Sequence, residues 1–141
     1  MLAQRRLTEV QLRTRLARKG FDEGDVQAAV ALCKRDGFID DALFARLFVE
    51  GRAKALGNAR LVAELVRRGI NRDAAKISVN ACERREDERV ALAAEKLFRT
   101  RTTLSYPSAA RALERLGFPS PLIYRHLRLR AQAEESVSGL P

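Results

Sequence analysis

The sequence predicts an all-α protein: three tandem three-helix repeats stacked into an elongated, curved body, the first repeat truncated. Three observations predict it. Apolar residues recur at three- and four-residue spacing along most of the chain, the period of helices with one buried stripe. Four prolines and eight glycines fall largely at the ends of those stripes. The pattern also repeats when the chain is aligned on Gly20, Gly69 and Gly117, at spacings of 49 and 48. Leu16, Leu65 and Leu113 precede these glycines by four residues, and Leu12, Leu61 and Ala109 by eight. Phe21, Ile70 and Phe118 follow directly, then Val26, Ala75 and Ile123, then Val30, Val79 and Leu127. Cys33 and Cys82 also correspond, but Arg130 breaks the pattern at that position. A unit of about 48 residues cannot bury its own apolar face, so neighbours must stack.

The elements follow in order. Thr8 and Gln11 form a capping box for a helix through Leu12 and Leu16 to Lys19. Asp22 caps the next, whose stripe is Val26, Ala29, Val30 and Cys33, with a stop near Asp36-Gly37. Asp40 or Asp41 caps a helix with Leu43, Phe44, Leu47 and Phe48 inward, ending near Leu56-Gly57. Asn58 starts a short helix by accepting backbone N–H bonds, and Gly69 with Ile70 ends it. Asn71 caps a helix bearing Ala75, Val79 and Cys82. Asp87-Glu88 starts one with Val90, Ala94, Leu97 and Phe98, broken by the polar run Arg99–Thr103. Ser105-Tyr-Pro107 opens a helix with Ala109, Leu113 and Leu116. Ser120-Pro121 starts the last, with Ile123 and Leu127 inward. The expected divisions are residues 1–38, 39–86 and 87–131, then a flexible tail over 132–141.

The formal net charge is +9 and the pI about 10.5. Residues 1–39 hold eight basic and five acidic groups, residues 40–86 ten and seven, and residues 87–141 nine and six. Each third thus carries +3, so the excess follows the body rather than one tail. That spread suits contact with a long polyanion or an acidic groove. Arg outnumbers Lys 22 to 5, and guanidinium grips phosphate or carboxylate bidentately. The candidate contact residues are Arg52, Lys54, Arg60, Arg67 and Arg68 in the central repeat. Their counterparts are Arg18 and Lys19, beside Arg13, in the first repeat, and Arg111 and Arg115 in the third. Arg125, Arg128 and Arg130 make a further ridge. The candidate faces carry Arg, Lys, Glu and Ala, which favours backbone or protein contact over base reading. Aromatic residues are too few for a single-strand stacking platform.

Enzyme chemistry has little support. His126 is the only histidine and reads as a surface residue. Phosphate-cradling glycine motifs are absent, so no cofactor is expected, and no second His or Cys near it suggests a metal site. The carboxylates Asp40-Asp41 and Glu86-Asp87-Glu88 sit at helix starts, where capping and the dipole explain them better than a metal-dependent nuclease does. The cysteines read as reduced core residues of a cytoplasmic protein. No apolar run of about 18 residues and no secretory leader is visible.

The stretch Gly37-Phe-Ile-Asp-Asp-Ala-Leu-Phe-Ala-Arg46 continues with Phe48-Val49-Glu50, Arg52, Gly57, Arg60-Leu61, Glu64-Leu65 and Arg68-Gly69-Ile70. Together these resemble the signature of the RecX family, bacterial regulators of the RecA recombinase that are also built from three-helix repeats. The resemblance extends over nearly the whole chain. It implies a non-enzymatic monomer lying along the groove of the RecA filament on single- or double-stranded DNA. It implies lowered ATPase and strand exchange, and loss or capping of filaments. In or beside the signature it directs attention to Arg52, Arg60, Arg67 and Arg68, with Asp40, Asp41 and Phe44 expected to hold the fold. The short first repeat and the irregular linker at Leu104–Tyr106 depart from the pattern. The alternative reading is a sequence-independent or helix-turn-helix-like DNA-binding protein that acts without RecA.

Overall fold

A computed structural model describes residues 6–53 and 55–138, and all its regular structure there is helical. The first repeat supplies α1 (Glu9–Arg18) and α2 (Glu23–Arg35). The second supplies α3 (Asp41–Arg52), α4 (Asn58–Arg67) and α5 (Arg72–Asn80). The third supplies α6 (Glu86–Thr100), α7 (Tyr106–Arg115) and α8 (Ser120–Ser138). Two compact units result. One holds α1, α2, α3 as far as Gly51, α4 from Val62 onward and α5; the other holds residues 52–61 with α6, α7 and α8.

Local capping sets most boundaries. Thr8 Oγ1 accepts from the Gln11 N–H at 3.2 Å, and Gln11 Oε1 accepts from the Thr8 N–H at 3.1 Å. Asp22, Asp40 and Asn71 accept from Asp25, Leu43 and Asp73 N–H groups at 2.8, 3.0 and 2.9 Å. Ser105 caps α7 through the Ser108 N–H. Gly20, Gly69 and Gly117 all end their helices in the left-handed region, at φ 93°, 97° and 95°.

The repeat positions become core. Val30, Val79 and Leu127 are buried, as are Val26, Ala75 and Ile123, and Leu65 and Leu113 are fully enclosed. The second unit gathers Val90, Ala94, Ala109, Leu113, Phe118, Ile123 and Leu127 into one cluster. The first copy departs at Phe21, which is 51% exposed whereas Ile70 and Phe118 are 4%.

Several expectations are corrected. α3 ends at Arg52, not near Leu56-Gly57. There the Leu56 carbonyl accepts from Arg89 at 2.8 Å, and the Gly57 N–H donates to the Leu116 carbonyl at 2.8 Å. Those tertiary bonds use groups that a continuing helix would pair internally. The enclosed face of α3 is Ala45 and Val49; Leu43, Phe44 and Phe48 are half-buried and Leu47 is 40% exposed. Asn58 is the first residue of α4 and does not cap it through its side chain. Its Oδ1 accepts from Arg89, and its N–H donates to Glu86 Oε2 at 2.6 Å. The carboxylate of Glu86 therefore satisfies the open N-terminus of α4. The first unit repeats the device: Asp41 Oδ1 accepts from the Glu9 N–H at 2.9 Å, at the start of α1. Helix α8 continues to Ser138, well into the stretch read as an aperiodic tail. The free thiols Cys33 and Cys82 are half-buried rather than core.

Candidate functional site

Most basic candidates stand at helix C-termini, where the exposed carbonyls and the dipole favour cations. Arg18 closes α1 and Lys19 is its C-cap; Arg67 closes α4. Arg52 closes α3 and Arg115 closes α7. All five are exposed. Lys54 lies outside the described residues.

Two central arginines prove to be engaged in the fold. Arg68 Nη1 lies 2.7 Å from Glu64 Oε2 and donates to the Glu64 carbonyl at 2.9 Å. Its guanidinium also sits over the Phe48 ring, 4.6 Å from the centroid. The Arg68 carbonyl in turn accepts from Thr8 Oγ1 at 2.5 Å, tying the end of α4 to the start of α1. Arg60 donates to the Arg115 carbonyl at 2.9 Å and thus closes the C-terminal end of α7. The structure therefore brings Arg60 and Arg115 together within the second unit. Arg111 is exposed and donates to Ser108 Oγ at 3.2 Å. The C-terminal ridge is interrupted. Arg130 pairs with Glu95 and Glu134 and lies 4.2 Å from the Phe98 centroid, whereas Arg125 and Arg128 are exposed.

Arg89 was missed by the sequence reading. It is 1% exposed and donates to the carbonyls of Leu56 and Arg84 and to Asn58 Oδ1. The available signal was its register: Ala93 and Leu97 follow at four and eight residues, on the inward side of α6. An arginine on an apolar stripe needs fixed acceptors, and the turn after α3, the start of α4 and the turn before α6 supply one each.

His126 is half-buried beside a groove of about 310 Å³ that Asp87, Glu88 and Arg125 also line. Its Nε2 is buried with no hydrogen-bond partner among the described residues. Burial, the largest influence, lowers its pKa below the ordinary 6.5; Glu95 opposes this and Arg130 adds to it. The folded state therefore resists protonation more than the unfolded chain does. Its contribution to stability is whole above about pH 6.5 and is lost as the pH falls through the lower folded value. Melting temperatures measured from about pH 7.5 to about pH 5 should fall further for the wild type than for His126→Gln. Parallel curves would contradict this assignment.

Among the described residues, no group of three or more His, Cys, Asp or Glu side chains is placed to hold a metal ion. No described helix is long and apolar enough to cross a membrane.

Residues 40–77 match the family described as RecX, second three-helix domain. This segment covers all of α3 and α4 and α5 as far as Ile77. The chain is similar to the regulatory protein RecX of Amycolatopsis mediterranei, at 34% identity over 97% of this chain and 83% of that protein. It is similar to the regulatory protein RecX of Thermus thermophilus, at 32% identity over 96% of this chain and 90% of that protein. The crystal structure of RecX from Lactobacillus salivarius shares the fold at a TM-score of 0.73 and 17% identity, over 86% of this chain and 84% of that one. A second crystal structure of a regulatory protein RecX does so at 0.76 and 19%, over 90% and 67%.

Proposed function

The chain belongs to the RecX family of regulatory proteins, and on that premise we propose that it is a non-enzymatic modulator, mainly an inhibitor, of the RecA recombinase. It binds along the groove of the RecA–DNA filament and lowers ATP hydrolysis and strand exchange, as a cytoplasmic regulator of recombination and repair. The observation that carries this reading is family similarity across nearly the whole chain. Its charge supports the reading: +3 in each third of the sequence, with Arg18, Lys19, Arg67, Arg111 and Arg115 exposed. Cations spread in this way are drawn to a polyanionic assembly without reading its sequence.

The test is a titration of the protein into RecA hydrolysing ATP on single-stranded DNA at low salt. Hydrolysis should slow at or below equal molar ratio. An unchanged rate would refute the proposal. Direct binding to duplex and single-stranded DNA without RecA, measured alongside, isolates plain DNA binding. The informative substitutions are Arg67→Glu and Arg18→Glu, because these side chains project from helix ends. Each should weaken inhibition about three- to tenfold while circular dichroism stays unchanged. Arg60→Glu and Arg68→Glu would confound contact with stability, since both side chains are bonded within the fold.

A further inference from the structure

The second unit contains a groove that the filament reading does not use. It has a volume of about 510 Å³ and runs beside α6. Leu92, Ala93 and Leu97 of α6 form its floor with Leu116 from the end of α7. Its rim carries Arg84, Lys96, Arg99 and Arg101, and no carboxylate lines it. None of these four cationic side chains makes an ion pair or hydrogen bond among the described residues. Of the acids along this stretch, Glu86 bonds the Asn58 N–H, Asp87 pairs with Arg85 and Glu95 with Arg130. Leu92 is 44% exposed, and its side chain adds to this floor rather than to the enclosed core.

Four uncompensated cations around an aliphatic floor define the occupant. The cations require negative charge, and the leucines require apolar side chains rather than sugar and phosphate. No aromatic ring lines the groove, so bases of a single strand would find nothing to stack on. Leu92, Lys96 and Arg99 succeed one another over about two turns, the footprint of a short helix. We infer that this groove binds an acidic amphipathic peptide segment of a protein partner. The segment lays aliphatic residues at i and i+4 on Leu92, Leu97 and Leu116, with flanking carboxylates on Arg84, Lys96, Arg99 and Arg101. This site is separate from the cations assigned above to the filament, and its test contains neither RecA nor long DNA.

The probe is a fluorescein-labelled peptide of about 12 residues, with leucine at helical i, i+4 spacing and Asp or Glu elsewhere. A second peptide replaces its leucines with serine, and a third probe is an oligothymidylate of about a dozen nucleotides. Fluorescence anisotropy on the full chain at about 0.15 M salt reads binding. The leucine peptide should bind at least about tenfold more tightly than either control. Arg99→Glu with Arg101→Glu should weaken it about tenfold or more, and Leu92→Ser about fivefold, with unchanged melting temperature. Independently of any variant, the peptide should shift the wild-type amide resonances of Leu92, Lys96 and Thr100. Equal binding of the leucine and serine peptides, tighter binding of the oligothymidylate, or resonance shifts elsewhere would overturn the inference. So would no binding at about 100 µM peptide.

Discussion

Replacing Arg89 with leucine should destabilise the protein by about 3–5 kcal/mol in urea unfolding. The substitution keeps an apolar body in the site but withdraws the donors from three oxygens: the Leu56 and Arg84 carbonyls and Asn58 Oδ1. The bond to Leu56 is buried and the other two are part-buried, and a fully buried acceptor left unpaired costs about 1–3 kcal/mol. Arg89→Lys should recover only a minor part, because one ammonium cannot span acceptors arranged for a planar fork. A double-mutant cycle with Asn58→Ala should give a coupling of about 1 kcal/mol or more. Additive losses would mean that the contact seen here does not hold the turn.

Gly117→Ala should cost more than about 3 kcal/mol, whereas Gly20→Ala should cost about 1 kcal/mol. Both glycines have positive φ, 95° and 93°, so both pay the left-handed penalty of an L side chain. Only Gly117 is also pressed against another helix: a Cβ there would run into the backbone N and Cβ of Arg60. The space around Gly20 is empty to 4 Å. The difference between the two variants thus measures the close approach of α4 to the end of α7, free of the shared backbone term. Equal losses would show that the turn opens to admit the methyl group.

These two sites separate what local sequence encodes from what depends on contacts through space. Thr8 with Gln11, Asp22, Asp40, Asn71 and Ser105 were legible as caps because each bonds within three residues of itself. The repeat was legible for a similar reason: a left-handed glycine and the apolar positions around it obey helix geometry alone. Asn58 misled because its local propensity was overruled by Arg89 and Glu86 from α6. The large residues of α3 misled because burial depends on what covers them, which periodicity does not state. Among the candidate contacts, residue type showed which side chains could grip an anion. It could not show that Arg68 leans on Glu64 and Phe48, or that Arg60 reaches Arg115.

The amino-acid sequence by itself determined the helices, most of their caps, the three-repeat order, the even positive charge and the family resemblance. All of these rest on chemistry between near neighbours or on the simple sum of charges. Only the tertiary structure decided which arginines bond within the fold, where α3 stops, what caps α4, and that cations and leucines share one groove on α6. The physical reason is that a guanidinium finds its acceptors through space. Arg89 and Leu56 are 33 positions apart along the chain, and no local periodicity encodes their meeting.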